Sequence, residues 1–63
     1  PDAVVNFAFA QTKGQATSLN SWSVKNEKGR FVYDVAFGAA NHQEIEVHVD
    51  AFTGELVSVK GVK

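Results

Sequence analysis

Cysteine is absent from the 63 residues, which excludes disulfide staples, thiolate zinc sites and cysteine nucleophiles. Methionine is absent too and the first residue is Pro1, so the chain is expected to be a trimmed piece of a longer precursor. Neither sign of charge dominates: six Lys and Arg stand against seven Asp and Glu, a net of −1. Nucleic acid is therefore not an expected partner, since it calls for a basic face that neutralises phosphates. No run of like charge suggests a tail or a polybasic membrane patch. No apolar run approaches the roughly 20 residues that span a bilayer, and no signal-peptide pattern occurs. The five glycines stand singly near turns, which leaves no phosphate-cradling loop. A chain of this length makes one domain with a thin core.

What is present is alternation. From Arg30 to Phe37, Phe31, Tyr33, Val35 and Phe37 share one face and Val32, Asp34 and Ala36 the other. From Gln43 to Asp50, Ile45, Val47 and Val49 oppose Glu44, Glu46, His48 and Asp50. Period two in β-branched and aromatic residues marks half-buried strands. A three-residue loop of Ala39, Ala40 and Asn41 aligns the two apolar sets, setting Val35 against Ile45 and Tyr33 against Val47. Asn41 is then expected in a left-handed conformation, which Asn tolerates and Ala does not. The same register sets Asp34 opposite Glu46, a like-charge pair that costs a little unless a cation intervenes.

Upstream, Ala16 to Lys25 carries Trp22 and Val24 among serines, and Asn26-Glu27-Lys28-Gly29 reads as a turn with Gly29 at positive φ. Placing Trp22 and Val24 on the Phe31/Tyr33 face requires an even number of turn residues, and hydrophobic matching favours that option. Leu56 to Lys60 reads as a last short strand followed by a frayed Gly-Val-Lys tail. The first segment, AVVNFAFA, suits either a strand or a helix. Asp2 as an N-cap and Lys13-Gly14 as a stop favour the helix. Helical spacing then puts Ala3, Val4, Phe7, Ala8 and Gln11 along one stripe and Val5 and Phe9 on a second, with Asn6 and Lys13 on the remaining wet side.

The one stretch that resembles chemistry is Glu44, Glu46, His48 and Asp50, at every second position of a single strand. Successive side chains on one strand face stand nearly 7 Å apart, whereas metal ligands must lie within roughly 2.0–2.6 Å of a common centre. Asp34 with Glu46 and His48 is at most a weak adventitious site, so the face is expected to be solvated and no metal or cofactor is expected. His42 falls in a turn and His48 on the exposed face, without the cleft and orienting partner that a general base needs. No Ser lies in a G-x-S-x-G setting. The chain is not expected to be an enzyme, and no catalytic residue is assigned. Asp50 to Gly54 reads as a hairpin corner: Asp50 accepts backbone N–H groups, Thr53 adds a hydroxyl and Gly54 supplies positive φ.

Tyr33-Asp34-Val35, then Glu46-Val47-His48-Val49-Asp50-Ala51, then Thr53-Gly54-Glu55-Leu56 resembles the signature half of a PepSY domain. That family runs roughly Y-[DE]-V, a polar hairpin, then an alternating strand ending in V-D-A-x-T-G-x-[LV]. Only residues 33 to 56 are specific, although the rest of the chain is compatible. Phe52 departs from the small or polar residue usual at the variable position, and AVVNFAFA is more aromatic than the family's usual helix. The resemblance implies an α+β fold, one helix on a four-stranded antiparallel sheet, in a secreted, cell-envelope or propeptide setting in bacteria. It also implies a non-catalytic module with a protein partner, a peptidase that it restrains or chaperones. The family's motif is largely structural, so no inhibitory residue carries over. The residues expected to touch a partner are Phe52, Trp22, Val5 and Phe9, and the plainer role for each is to finish a thin core. An alternative from another class is a structural repeat or spacer of a cell-surface protein that associates with itself.

Overall fold

The structure is a computed structural model that describes residues 2–63. Helix α1 spans Asp2–Ala10 and is followed by strands β1, Ala16–Glu27, β2, Arg30–Ala39, β3, Gln43–Asp50, and β4, Leu56–Lys60. The strands form one antiparallel sheet in the order β1-β2-β3-β4, with α1 on one face, which makes the fold α+β. Each strand follows its neighbour through a short turn, so the topology needs no crossover.

Alternation decides which face meets the helix. Val35, Phe37, Ile45, Val47 and Val49 are buried with Ala8 and Ala16, and Val4, Val5, Val59 and Val62 pack around them. Fully burying a side chain of this kind contributes on the order of 1.5–3 kcal/mol, so these few positions dominate the stability. Phe9 meets Phe37 edge to face, with ring centroids 5.9 Å apart. The helix therefore presents Val4, Val5 and Ala8 to the sheet, whereas Ala3 and Phe7 of the expected stripe are exposed. Val5 belongs to the packing against the sheet.

α1 ends sooner than its C-terminal signals suggest. The Thr12 hydroxyl donates to the Phe9 carbonyl at 2.8 Å, and the amides of Gln11 and Thr12 bond to Ala8 and Phe9 three residues back. The last turn tightens in this way, and Lys13 and Gly14 then turn the chain through positive φ.

The β1–β2 connection is the two-residue turn Lys28-Gly29, with Glu27 paired to Arg30, which sets Val24 opposite Tyr33 and Trp22 opposite Val35. The even turn favoured by hydrophobic matching is the one formed. Asn26 Oδ1 accepts the Gly29 amide at 2.9 Å. β1 is irregular, with register shifts between Ala16 and Ser18 and between Leu19 and Ser21.

The β2–β3 hairpin differs from expectation by two residues. Ala39 pairs with Gln43, so the loop is Ala40–His42, and both Asn41 (φ 62°) and His42 (φ 60°) are left-handed. Val35 then faces Val47, Tyr33 faces Val49, and Asp34 faces His48 in place of Glu46. A two-residue slip leaves every side chain on its own face, because the pleat repeats every two residues. The like-charge pair is replaced by a carboxylate opposite an imidazole.

The Gly-Val-Lys tail is held down. Val62 packs against the core. The Gln15 side-chain amide donates to the Lys63 carbonyl and accepts the Lys63 amide, both at 2.9 Å. One side chain thus imitates a rung of backbone pairing.

Candidate functional site

The two faces of the sheet carry unlike surfaces. On the face that α1 packs against, Val35, Phe37, Ile45, Val47 and Val49 are buried, and the side chains beyond them reach solvent. Trp22, Val24, Phe31, Phe52 and Leu56 are all exposed there, with Tyr33 half-buried among them. Trp22 tilts against Tyr33 with centroids 6.4 Å apart, and Phe31 meets Phe52 edge to face at 6.2 Å. With Val24 opposite Tyr33 and Leu56 opposite Val49 in the register, these two pairs lie along one strip. β1 forms one border of the sheet, so its outer backbone groups have no neighbouring strand.

Phe52 is held at the strip by the corner that precedes β4. Asp50 Oδ1 accepts the amides of Phe52 and Thr53, both at 2.8 Å, and the Asp50 carbonyl accepts the Gly54 amide at 2.9 Å. Thr53 Oγ1 accepts the Glu55 amide at 3.1 Å, and Gly54 sits at φ 76°. Those amides, Thr53 first and then Phe52, hold the Asp50 carboxyl below its ordinary value, and the Arg30 guanidinium 3.0 Å from Oδ2 acts in the same direction. These bonds fix the backbone of the corner, on which Phe52 is 84% exposed.

Among the residues expected to contact a partner, Phe52 and Trp22 lie on this strip. Phe9 is half-exposed on the helix with its edge on Phe37, and Val5 faces the sheet. Val24, Phe31 and Leu56 were not singled out from the sequence. Their signal was the alternation itself, which places them on the helix face of a sheet longer than the helix.

The opposite face corrects the expectation of a solvated surface. Asp34 is 6% exposed, His48 7% and Asp50 8%. Val32, which lies between Lys25 and Asp50 in the register, is fully buried there. Polar side chains of three strands converge on His48. Its Nε2 lies 3.2 Å from Glu46 Oε1 and 3.5 Å from Asp34 Oδ1, and its Nδ1 lies 3.4 Å from Glu27 Oε2. Lys25 Nζ contacts the other Asp34 oxygen, Oδ2, at 2.6 Å, and that hydrogen bond and charge push the ammonium above its ordinary pKa. Asp34 Oδ1 is buried without a hydrogen-bond partner. Asp34, Glu46 and His48 each offer one ligating atom within 4.8 Å of the others. β3 by itself brings Glu46 Oε1 and His48 Nε2 together, and β2 supplies the third atom, with Asp34 directly across from His48.

No family model, curated protein or solved structure matches this chain. Among the described residues, no helix is long and apolar enough to cross a membrane.

Proposed function

We propose that this chain is a non-catalytic protein-interaction module that restrains or chaperones a peptidase in the bacterial envelope or the extracellular space. The observation that carries this reading is the bare strip of Trp22, Val24, Phe31, Phe52 and Leu56 beside the unpaired border of β1. Exposed aromatic residues that touch one another supply buried area to a partner at little cost in side-chain entropy. An open strand border offers backbone donors and acceptors to an extended segment, which adds to the sheet as a further strand. Together they suit a partner with an extended backbone and apolar side chains. The peptidase comes from the PepSY resemblance of residues 33 to 56, and the envelope or extracellular setting comes from the same source.

The test is affinity capture from the envelope fraction of a bacterium that makes the protein, followed by assay of the captured peptidase with and without added module. The expected result is recovery of a peptidase whose activity falls on addition of the wild-type chain, with both effects lost in Phe52→Ser and Trp22→Ser. Equal recovery with all three baits would count against the strip as the contact surface. Recovery of no peptidase would remove the peptidase assignment.

The same border fits a second copy of the chain, as in a repeat or spacer that associates with itself. Sedimentation equilibrium separates the two readings. A concentration-dependent dimer abolished by Trp22→Ser favours self-association, and a monomer at all concentrations favours the foreign partner.

A further inference from the structure

We propose that Asp34, Glu46 and His48 form a binding site for a divalent transition-metal cation of the zinc class, on the sheet face opposite the apolar strip. The first support is spacing. Ligand atoms about 2.0–2.1 Å from a tetrahedral zinc ion lie roughly 3.4 Å from one another. His48 Nε2 stands 3.2 Å from Glu46 Oε1 and 3.5 Å from Asp34 Oδ1. Two of the three separations therefore already match what a cation requires, and all three ligand atoms lie within 4.8 Å of one another, so a modest turn of the partly exposed Glu46 side chain completes the set.

The second support is independent of that spacing. Asp34 is more than nine-tenths buried, and its Oδ1 has no hydrogen-bond partner while it faces His48 Nε2. A buried carboxylate oxygen without a donor is costly. Lys25 occupies Oδ2 and leaves Oδ1 as the one oxygen turned into the cluster. A cation among the three ligand atoms supplies the missing partner.

The third support is the placement of Glu27. A metal-bound imidazole usually donates its other ring N–H to a carboxylate, which fixes the tautomer and aims the lone pair at the ion. Glu27 Oε2 lies 3.4 Å from His48 Nδ1 and is positioned to accept that proton. With Nδ1 protonated, the Nε2 lone pair points towards Asp34 and Glu46, an arrangement that is repulsive until a positive centre lies between them. Two carboxylates and a neutral imidazole also balance a doubly charged ion.

The donor set selects the class of metal. Calcium prefers six to eight oxygen ligands and magnesium keeps most of its waters, so a site with one imidazole and two carboxylates suits neither. Zinc, cobalt, nickel and copper accept mixed nitrogen and oxygen donors, and manganese binds such a set more weakly. Glu46 is only partly buried, and water on its side completes the coordination.

The experiment titrates chelator-stripped protein with zinc chloride, and with cobalt(II) as a spectroscopic probe, at neutral pH. Thermal unfolding and the imidazole nitrogen-15 resonances are followed on the wild-type chain. At a free zinc concentration a hundredfold above Kd, the melting temperature should rise by about 10–20 °C. The Nε2 resonance of His48 should move, and cobalt should develop the visible absorption of a low-symmetry site. Glu46→Gln, a change at a partly exposed position, should weaken binding at least tenfold. His42→Asn, in the loop between β2 and β3, should leave it unchanged. Two results would overturn the proposal. One is a melting temperature and an Nε2 resonance indifferent to millimolar zinc. Another is binding that survives Glu46→Gln and disappears with His42→Asn, which marks an adventitious ion only.

Discussion

Phe52→Ser separates the strip from the fold, and its cost can be worked from the structure. Burying a whole phenylalanine side chain contributes on the order of 1.5–3 kcal/mol. Phe52 is 84% exposed, so about one sixth of that is at stake, roughly 0.3–0.5 kcal/mol. The edge-to-face pair with Phe31 adds about 0.5 kcal/mol, the low end for aromatic pairs, because both rings are wet. The sum is about 1 kcal/mol or less. A chain of this length has a total stability on the order of 3–9 kcal/mol, so the variant stays folded. Ile45→Ala is the counterpart. Ile45 is fully buried in the core, and its truncation should cost about 2–5 kcal/mol. Urea unfolding followed by far-ultraviolet circular dichroism compares the two, with equal slopes and different midpoints expected. A Phe52→Ser midpoint as low as that of Ile45→Ala would refute the reasoning, because it would make that ring part of the core in solution.

Phe9→Ser should cost about 1–2 kcal/mol, more than Phe52→Ser, because Phe9 is half-buried and its ring packs on Phe37; equal midpoints for the two variants would contradict the packing of α1. Gln15→Ala removes both hydrogen bonds to Lys63. It should lower stability by about 1 kcal/mol, with the Lys63 amide losing its protection from hydrogen exchange; unchanged exchange at Lys63 would show that the clasp does not persist. The Asp50 carboxyl is held below its ordinary value chiefly by the Thr53 and Phe52 amides. Its contribution is therefore fully present above the unfolded carboxylate value near about 3.9 and is lost as pH falls through that value towards the folded one. In chelator-treated samples Asp50→Asn should show a shallower fall in urea midpoint across that acid window than wild type, and identical slopes would remove Asp50 from the acid response.

The face assignment of β2 and β3 was readable because burial acts on every second side chain, and Val35, Val47 and Val49 record it without reference to the turn. The exact register was not. Loops Ala39–Asn41 and Ala40–His42 present the same faces, and the choice rests on His42 joining Asn41 at positive φ, which residue preferences do not demand. That slip decided how the polar face was read. With Asp34 opposite Glu46 the face looks like a mild repulsion open to water, and with Asp34 opposite His48 it becomes a buried cluster. The helix was indicated by Asp2 and Gly14, but its early end goes with a local contact of the Thr12 hydroxyl on the Phe9 carbonyl three residues back, one of several bonds that this side chain could make. The tail looked frayed because nothing local ties it. Gln15, 48 positions away, does.

The irregularities of β1 limit what can lie alongside it. Each register shift bends and twists a strand and breaks the even comb of backbone groups that a newcomer must match. Both shifts fall before Ser21, and from there to Glu27 the pairing with β2 runs without interruption. A visiting strand can therefore run straight only along the half of β1 that ends at the Lys28-Gly29 turn, a ledge roughly 20 Å long at about 3.3 Å per residue. Trp22 and Val24 rise from that ledge on the open side. Two misfitted residues at the other end of the strand thus bound the length of straight edge that β1 offers.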